Sequence, residues 1–186
     1  ILGVDIGGTG IKAAVIETQT GELISEHKRI PTPQPATPEN IASSLAQMVA
    51  DLAWSGPIGC GFPATVHHGV AYSASNIDPS WINTDAQTLF SQMTGQPCFV
   101  VNDADAAGMA EMRFGAGQNN RGVTILLTIG TGIGSAVFVN GQLHPNTELG
   151  HVRFGDSIAE RYCAESVRIK QNLSWQEWGT RFNEYL

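Results

Sequence analysis

Cysteine is scarce and unpatterned in this sequence: Cys60, Cys98 and Cys163 are an odd number at irregular spacing, with no C-x-x-C pair. That excludes the disulfide framework of a small secreted domain and points to a reducing compartment, the cytoplasm. Basic residues are also few, 10 Lys and Arg against 17 Asp and Glu, for a formal charge of -7. A broad electrostatic surface for nucleic acid is therefore not expected, and a polyanionic ligand would need a local basic site. No apolar run approaches the roughly 20 residues that a membrane helix needs, and no basic leader precedes Ile1-Leu2. Neither membrane insertion nor secretion is expected, and no low-complexity linker interrupts the chain.

What is present is enough to bury a core: 186 residues, 42% hydrophobic and 15% charged. The 21 glycines against 9 prolines predict many tight turns between short elements, a turn-rich α/β chain. Two apolar runs, Ile1–Ile6 and Ala13–Glu17, flank a glycine-rich turn and predict a hairpin; Leu23–Ile30 fits a third, edge-like strand. Four prolines lie between Pro31 and Pro38, after which an amphipathic helix should run to about Trp54, with Ile41, Leu45, Met48, Val49 and Leu52 on its apolar face. Further along, the pattern predicts a strand at 57–62, a helix at 85–93, a strand at 98–103 and a helix at 104–113. A second glycine-turned hairpin joins 124–127 to 136–139. Two half-domains meeting at a cleft, 1–101 and 102–186, are expected.

The first hairpin tip, Asp5-Ile6-Gly7-Gly8-Thr9-Gly10-Ile11-Lys12, sets a carboxylate at a strand end, then glycines whose backbone N–H groups can approach phosphate oxygens, then a hydroxyl and an ammonium. It is neither a Walker A loop nor G-x-G-x-x-G, and an ordinary glycine-rich turn would read the same way. The second tip, Thr128–Ser135, repeats the scheme, and a pair of such tips can clamp a phosphate chain. Asn102-Asp103 follows a buried strand, the place where α/β folds present ligand-binding groups. Asp103 is the candidate base, although it or Asp105 would equally cap the following helix. Glu148 and His151 flank Gly150 as a compact pair for vicinal hydroxyls, or lie in a surface turn. His151 with Cys163 cannot complete a tetrahedral zinc site. His67 and His68 fit an exposed turn; Trp54, Trp175 and Trp178 read as packing residues, and Trp81 lies between packing and ligand stacking.

Taken in order, DIGGTGIK, GFPATV, SNIDPSW, NDADAAG, GTGIGSA and ELGH resemble the ROK family of sugar kinases, most closely its polyphosphate-using glucokinases; PTPQPATP and LSWQEW are similar to that branch too. The resemblance implies the actin-like ATPase, ribonuclease H-like fold and transfer of a phosphoryl group from polyphosphate or ATP to the 6-hydroxyl of glucose. In that reading Asp103 is the general base; Asn102, Glu148 and His151 hold glucose hydroxyls; Pro63, Ala64 and Asn76 contact the sugar, and Glu160 adds one contact. Gly7, Gly8, Thr9, Gly10, Lys12, Gly130, Thr131 and Gly132 would face the phosphate donor, with Asp5 near a magnesium ion or its waters.

The sequence departs from the family pattern in three places. Gly155–Glu160 stands where many members carry a cysteine-rich zinc element, so zinc is not expected. Pro63-Ala64 replaces Pro-Gly, which should crowd the backbone near the sugar. Members also continue past a point equivalent to Leu186, which implies that the C-terminal part is cut short. A homodimer is implied. The other readings are a sugar-binding regulator of the same family without catalysis, which would need a helix-turn-helix, and an ATP-only hexokinase or mannokinase. Lys12, Arg113, Arg121, Arg153, Arg161, Arg168 and Lys170 could line a polyphosphate groove or form a solvated face.

Overall fold

The computed structural model describes residues 1–186, in two compact units, Ile1–Ala106 and Ala107–Leu186. In the first, β1 (Leu2–Ile6) and β2 (Gly10–Val15) form the expected antiparallel hairpin, with Leu2 opposite Val15 and Ile6 opposite Ile11. Because β2 starts at Gly10, the turn is only Gly7-Gly8-Thr9, and Lys12 is a strand residue. The third strand is shorter than the expected Leu23–Ile30: β3 (Lys28–Pro31) pairs with β2, while Leu23 makes only an isolated bridge to Ile16. The physical reason is local. The Val15 amide donates to the Ser25 hydroxyl, and Leu23 and Ile24 stand 51% and 64% exposed, so extending the strand would bury little.

Helix α1 (Pro38–Asp51) is capped by the Thr37 side chain, which accepts from the Asn40 amide, and Pro38 occupies its first turn. It buries Ile41, Leu45, Met48 and Val49 and stops before Trp54, with Ala53 in the left-handed region at φ 47°. β4 (Ile58–Phe62) runs parallel to β1. β5 (Val66–His67) and β6 (Val70–Ala71) form a small hairpin turned by His68 and Gly69, both at positive φ, and β7 (Thr84–Asp85) completes that sheet. Helix α2 (Ala86–Thr94) ends at a left-handed Gly95; β8 (Cys98–Asn102) then lies parallel to β4. The main sheet therefore has the order β3-β2-β1-β4-β8. Under it Trp81 is fully buried, its ring centroid 4.6 Å from that of Phe62 and 5.7 Å from that of Phe90, and its Nε1 donates to the Ala36 carbonyl at 2.9 Å. Trp81 is thus a core residue rather than a ligand platform.

Helix α3 (Asp103–Phe114) contains the division between the units. In the second unit, β9 (Val123–Ile129), β10 (Ile133–Val139) and β11 (Gln142–His144) form an antiparallel sheet of order β11-β10-β9. A short hairpin, β12 (Arg153–Phe154) and β13 (Ser157–Ile158), leads to α4 (Glu160–Cys163), α5 (Glu165–Lys170) and α6 (Trp175–Tyr185). The core here is small: Ile133, Cys163 and Ala164, with Leu127, Tyr162, Val167, Phe182 and Tyr185 against them. Trp178 packs as expected, stacked on Phe182 and donating to the Cys163 carbonyl. Trp175 does not: it is 65% exposed, its ring covered by the Arg168 guanidinium at 3.9 Å. No helix is long and apolar enough to cross a membrane.

Candidate active site

In the first unit the glycine tip is closed by the Gly7 amide donating to the Gly10 carbonyl at 3.0 Å. Thr32, buried among the prolines after β3, tethers it: its amide donates to the Thr9 carbonyl and its hydroxyl to the Gly7 carbonyl. A Cβ on Gly8 would stand 3.1 Å from the Asn76 carbonyl, so Asn76 adjoins the tip through its backbone. That loop is braced by Asp78, whose carboxylate accepts from the Ser80 hydroxyl and amide and is held below the usual carboxylate range by those bonds. Two cations belong to this hairpin and the strand beside it. Lys12 Nζ sits 3.0 Å from Asp5 Oδ2 across the hairpin register, whereas the Arg29 guanidinium lies over Gly10, where a Cβ would come within 2.9 Å of its Nε.

At the C-terminal end of β8, Asn102 is 7% exposed and joins two elements: Nδ2 donates to the Ala64 carbonyl at 3.0 Å and Oδ1 accepts the Asp105 amide at 3.0 Å. Asn102 is therefore the residue that caps α3. Asp103, half-buried next to it, accepts the Ala104 amide at 2.8 Å. The Pro63-Ala64 turn is closed by the Ala64 amide on the Phe62 carbonyl. The Ala64 methyl, expected to crowd a ligand, is instead 3% exposed and part of the core.

In the second unit the structure gathers three predicted residues. His151 Nδ1 lies 3.5 Å from Glu148 Oε2 and Nε2 lies 3.4 Å from Glu160 Oε1. Two glycines and a serine build this cluster. A Cβ on Gly150 would fall 2.1 Å from the Ile133 carbonyl, so that position requires glycine for the approach, and one on Gly132 would fall 2.3 Å from Glu160 Oε2, so it would displace that carboxylate. Buried Ser135 accepts the Leu149 amide at 2.9 Å and donates to the Thr147 carbonyl, pinning the loop to β10. The second tip is closed by the Gly130 amide on the Gly132 carbonyl, and Ser166 tethers it, amide to the Gly130 carbonyl and hydroxyl to the Thr131 carbonyl. The Ile133 amide donates to Glu160 Oε2 at 3.3 Å, so Glu160 serves tip and histidine together.

Sequence reading missed Arg29, Thr32, Ser135 and Ser166. Arg29 was legible only through strand register, and the three hydroxyls act through contacts with segments 12 to 36 residues away, for which the sequence carries no local signal.

A five-stranded sheet opened by a glycine-tipped hairpin, a second glycine-tipped hairpin and an Asn-Asp pair at the end of a parallel strand are the features of an actin-like α/β fold. The ROK family model matches residues 1–174, and the chain belongs to that family. It is 48% identical over 177 residues to a polyphosphate glucokinase from Mycobacterium tuberculosis, covering 95% of this chain and 67% of that relative. Among solved structures, the inorganic polyphosphate/ATP-glucomannokinase of an Arthrobacter species superposes with a TM-score of 0.95 at 44% identity, over 100% of this chain and 76% of that one. A ROK family glucokinase from Streptomyces griseus, in complex with glucose and AMPPNP, gives a TM-score of 0.80 at 30% identity, over 91% of this chain and 58% of that one.

Proposed function

We propose that the protein is a glucokinase that moves a phosphoryl group from polyphosphate or ATP to the 6-hydroxyl of glucose. The observation that carries it is the Asn102-Asp103 pair, fixed at the end of β8 by the Ala64 and Asp105 bonds, in a chain so similar to polyphosphate-using glucokinases. Asp103 takes the proton of the attacking hydroxyl as the new oxygen–phosphorus bond forms and the bond to the leaving phosphate breaks. Glucose hydroxyls fall to Asn102, Asn76, the Pro63-Ala64 turn, Glu148, His151 and Glu160. Both kinds of group are present in the His151 cluster, carboxylate acceptors and an imidazole that can donate. The glycine tips at Gly7–Gly10 and Gly130–Gly132 take the donor phosphates, with Lys12 and Arg29 as cations of the first.

Magnesium is part of this reading. No group of three or more His, Cys, Asp or Glu is arranged to hold a metal ion by itself, which suits an ion carried mainly by donor phosphates and water. Asp5, half-exposed beside the first tip, is the carboxylate that fits its outer shell. When bound, the ion supplies neutralisation of phosphate charge. A cytoplasmic setting is supported by three free, buried cysteines; the homodimer that family likeness implies is checked by light scattering.

The test is glucose phosphorylation with magnesium and either polyphosphate or ATP. Turnover with polyphosphate is expected. Turnover with ATP alone removes the polyphosphate part, and glucose binding with no turnover on either donor favours the non-catalytic regulator.

A further inference from the structure

The cations of the second unit are not equivalent. Arg168 is engaged, its Nη2 3.6 Å from Glu165 and its guanidinium over Trp175. Arg161, in α4, and Lys170, the last residue of α5, make no ion pair within the chain. Both line one cavity of about 430 Å³ that begins at the second glycine tip, with Thr131, Ser166 and Gln171 as polar walls. The cavity's carboxylate is turned back to the protein: Glu160 bonds the Ile133 amide through Oε2 and faces His151 through Oε1. Val167 is the one aliphatic side chain in the lining, and no aromatic ring takes part. A nucleobase would find no aromatic ring to stack on there. A chain of phosphates suits it: a guanidinium fork, an ammonium, hydroxyls and an amide satisfy oxygens along a flexible polyanion.

Resting on the kinase reading above, we infer that this cavity is the subsite for the distal phosphates of a polyphosphate donor, those beyond the phosphates that the glycine tips take. Arg161 and Lys170 select for chain length: they reach phosphates that ATP does not have. In a protein of net charge -7 this pair also supplies the local basic site that a polyanion requires.

The experiment combines turnover and direct binding. Arg161→Ala, Lys170→Ala and the double variant are assayed with long-chain polyphosphate and with ATP, and polyphosphate binding is measured by calorimetry at two salt concentrations. Loss of both cations should raise the Kd and KM for polyphosphate by about ten-fold or more, and the gap should narrow at high salt. KM for ATP and for glucose should stay unchanged. An unchanged polyphosphate Kd in the double variant, or an equal rise in KM for ATP, overturns the subsite and leaves the kinase reading standing. If the unsubstituted protein phosphorylates glucose with neither donor, the kinase reading falls, and the binding comparison alone decides the subsite.

Discussion

The two units build the same device and embed it differently. Each has a glycine-tipped hairpin closed by one internal amide–carbonyl bond, and each tip is tethered by one hydroxyl residue that uses both its amide and its side chain: Thr32 on the carbonyls of Gly7 and Thr9, Ser166 on those of Gly130 and Thr131. A tip held in this way is what the proposed donor-phosphate role needs. The surroundings diverge. The first tip has a guanidinium laid over Gly10; the second has a carboxylate, Glu160, against Gly132. β1 is paired on both edges, by β2 and β4, whereas β9 pairs with β10 alone and leaves Val123 and Ile125 exposed at 66% and 54%. Local sequence specifies a tip; what the tip can do, and how firmly it is held, comes from non-local neighbours.

The largest effect should come from separating the proposed base in the first unit from the sugar contacts proposed in the second. Asp103→Asn is expected to lower kcat by roughly 10²–10⁴-fold, the usual worth of a positioned general base, with glucose Kd changed only a few-fold. Glu160→Gln should act chiefly through KM for glucose, since it removes one partner of His151 and of the Ile133 amide. Full activity in Asp103→Asn would remove the base assignment.

Core packing gives the next contrast. Trp81→Ala empties a fully buried site and should cost about 3–5 kcal/mol of stability, read from the denaturant midpoint. Trp175→Ala, at an exposed ring that meets only the Arg168 guanidinium and the edge of Trp178, should cost no more than about 1 kcal/mol. Equal costs would erase the asymmetry between the cores. Glycines sharpen it further. Gly150→Ala forces a methyl to within 2.1 Å of the Ile133 carbonyl, so the Glu148–His151 segment must shift. About 1–3 kcal/mol and a raised KM for glucose are expected there, while Gly8→Ala, with 3.1 Å to the Asn76 carbonyl, should be milder.

Much of this was legible beforehand. Hairpins, the amphipathic α1 and the strand-to-helix step at Asn102-Asp103 follow from periodicity, caps and glycine position, all of which act within a few residues. Where expectation failed, a distant or competing contact decided. Ser25 took the ladder position that would have lengthened β3, and the Trp81 indole, which the sequence left open between packing and stacking, found a carbonyl 45 residues away and joined the core. Asn102 supplies the cap that was the alternative role of Asp103 or Asp105. Strand register pairs Lys12 with Asp5 and adds Arg29, which sequence adjacency does not show, beside Gly10.

The smallest expected effect on turnover tests whether the two tips are functionally alike. Thr32→Val keeps shape and backbone amide while deleting the hydroxyl that holds the Gly7 carbonyl; Ser166→Ala does the same at Thr131. Each should cost about 0.5–1.5 kcal/mol, the net worth of one hydrogen bond. That range is too small to unfold the protein but enough to loosen a phosphate-binding turn. If both tips take donor phosphates, both variants should raise donor KM a few-fold and leave KM for glucose in place. If donor KM moves only for Thr32→Val, the second tip is a turn that serves Glu160 and the sugar side, and the resemblance between the hairpins is one of shape rather than of use.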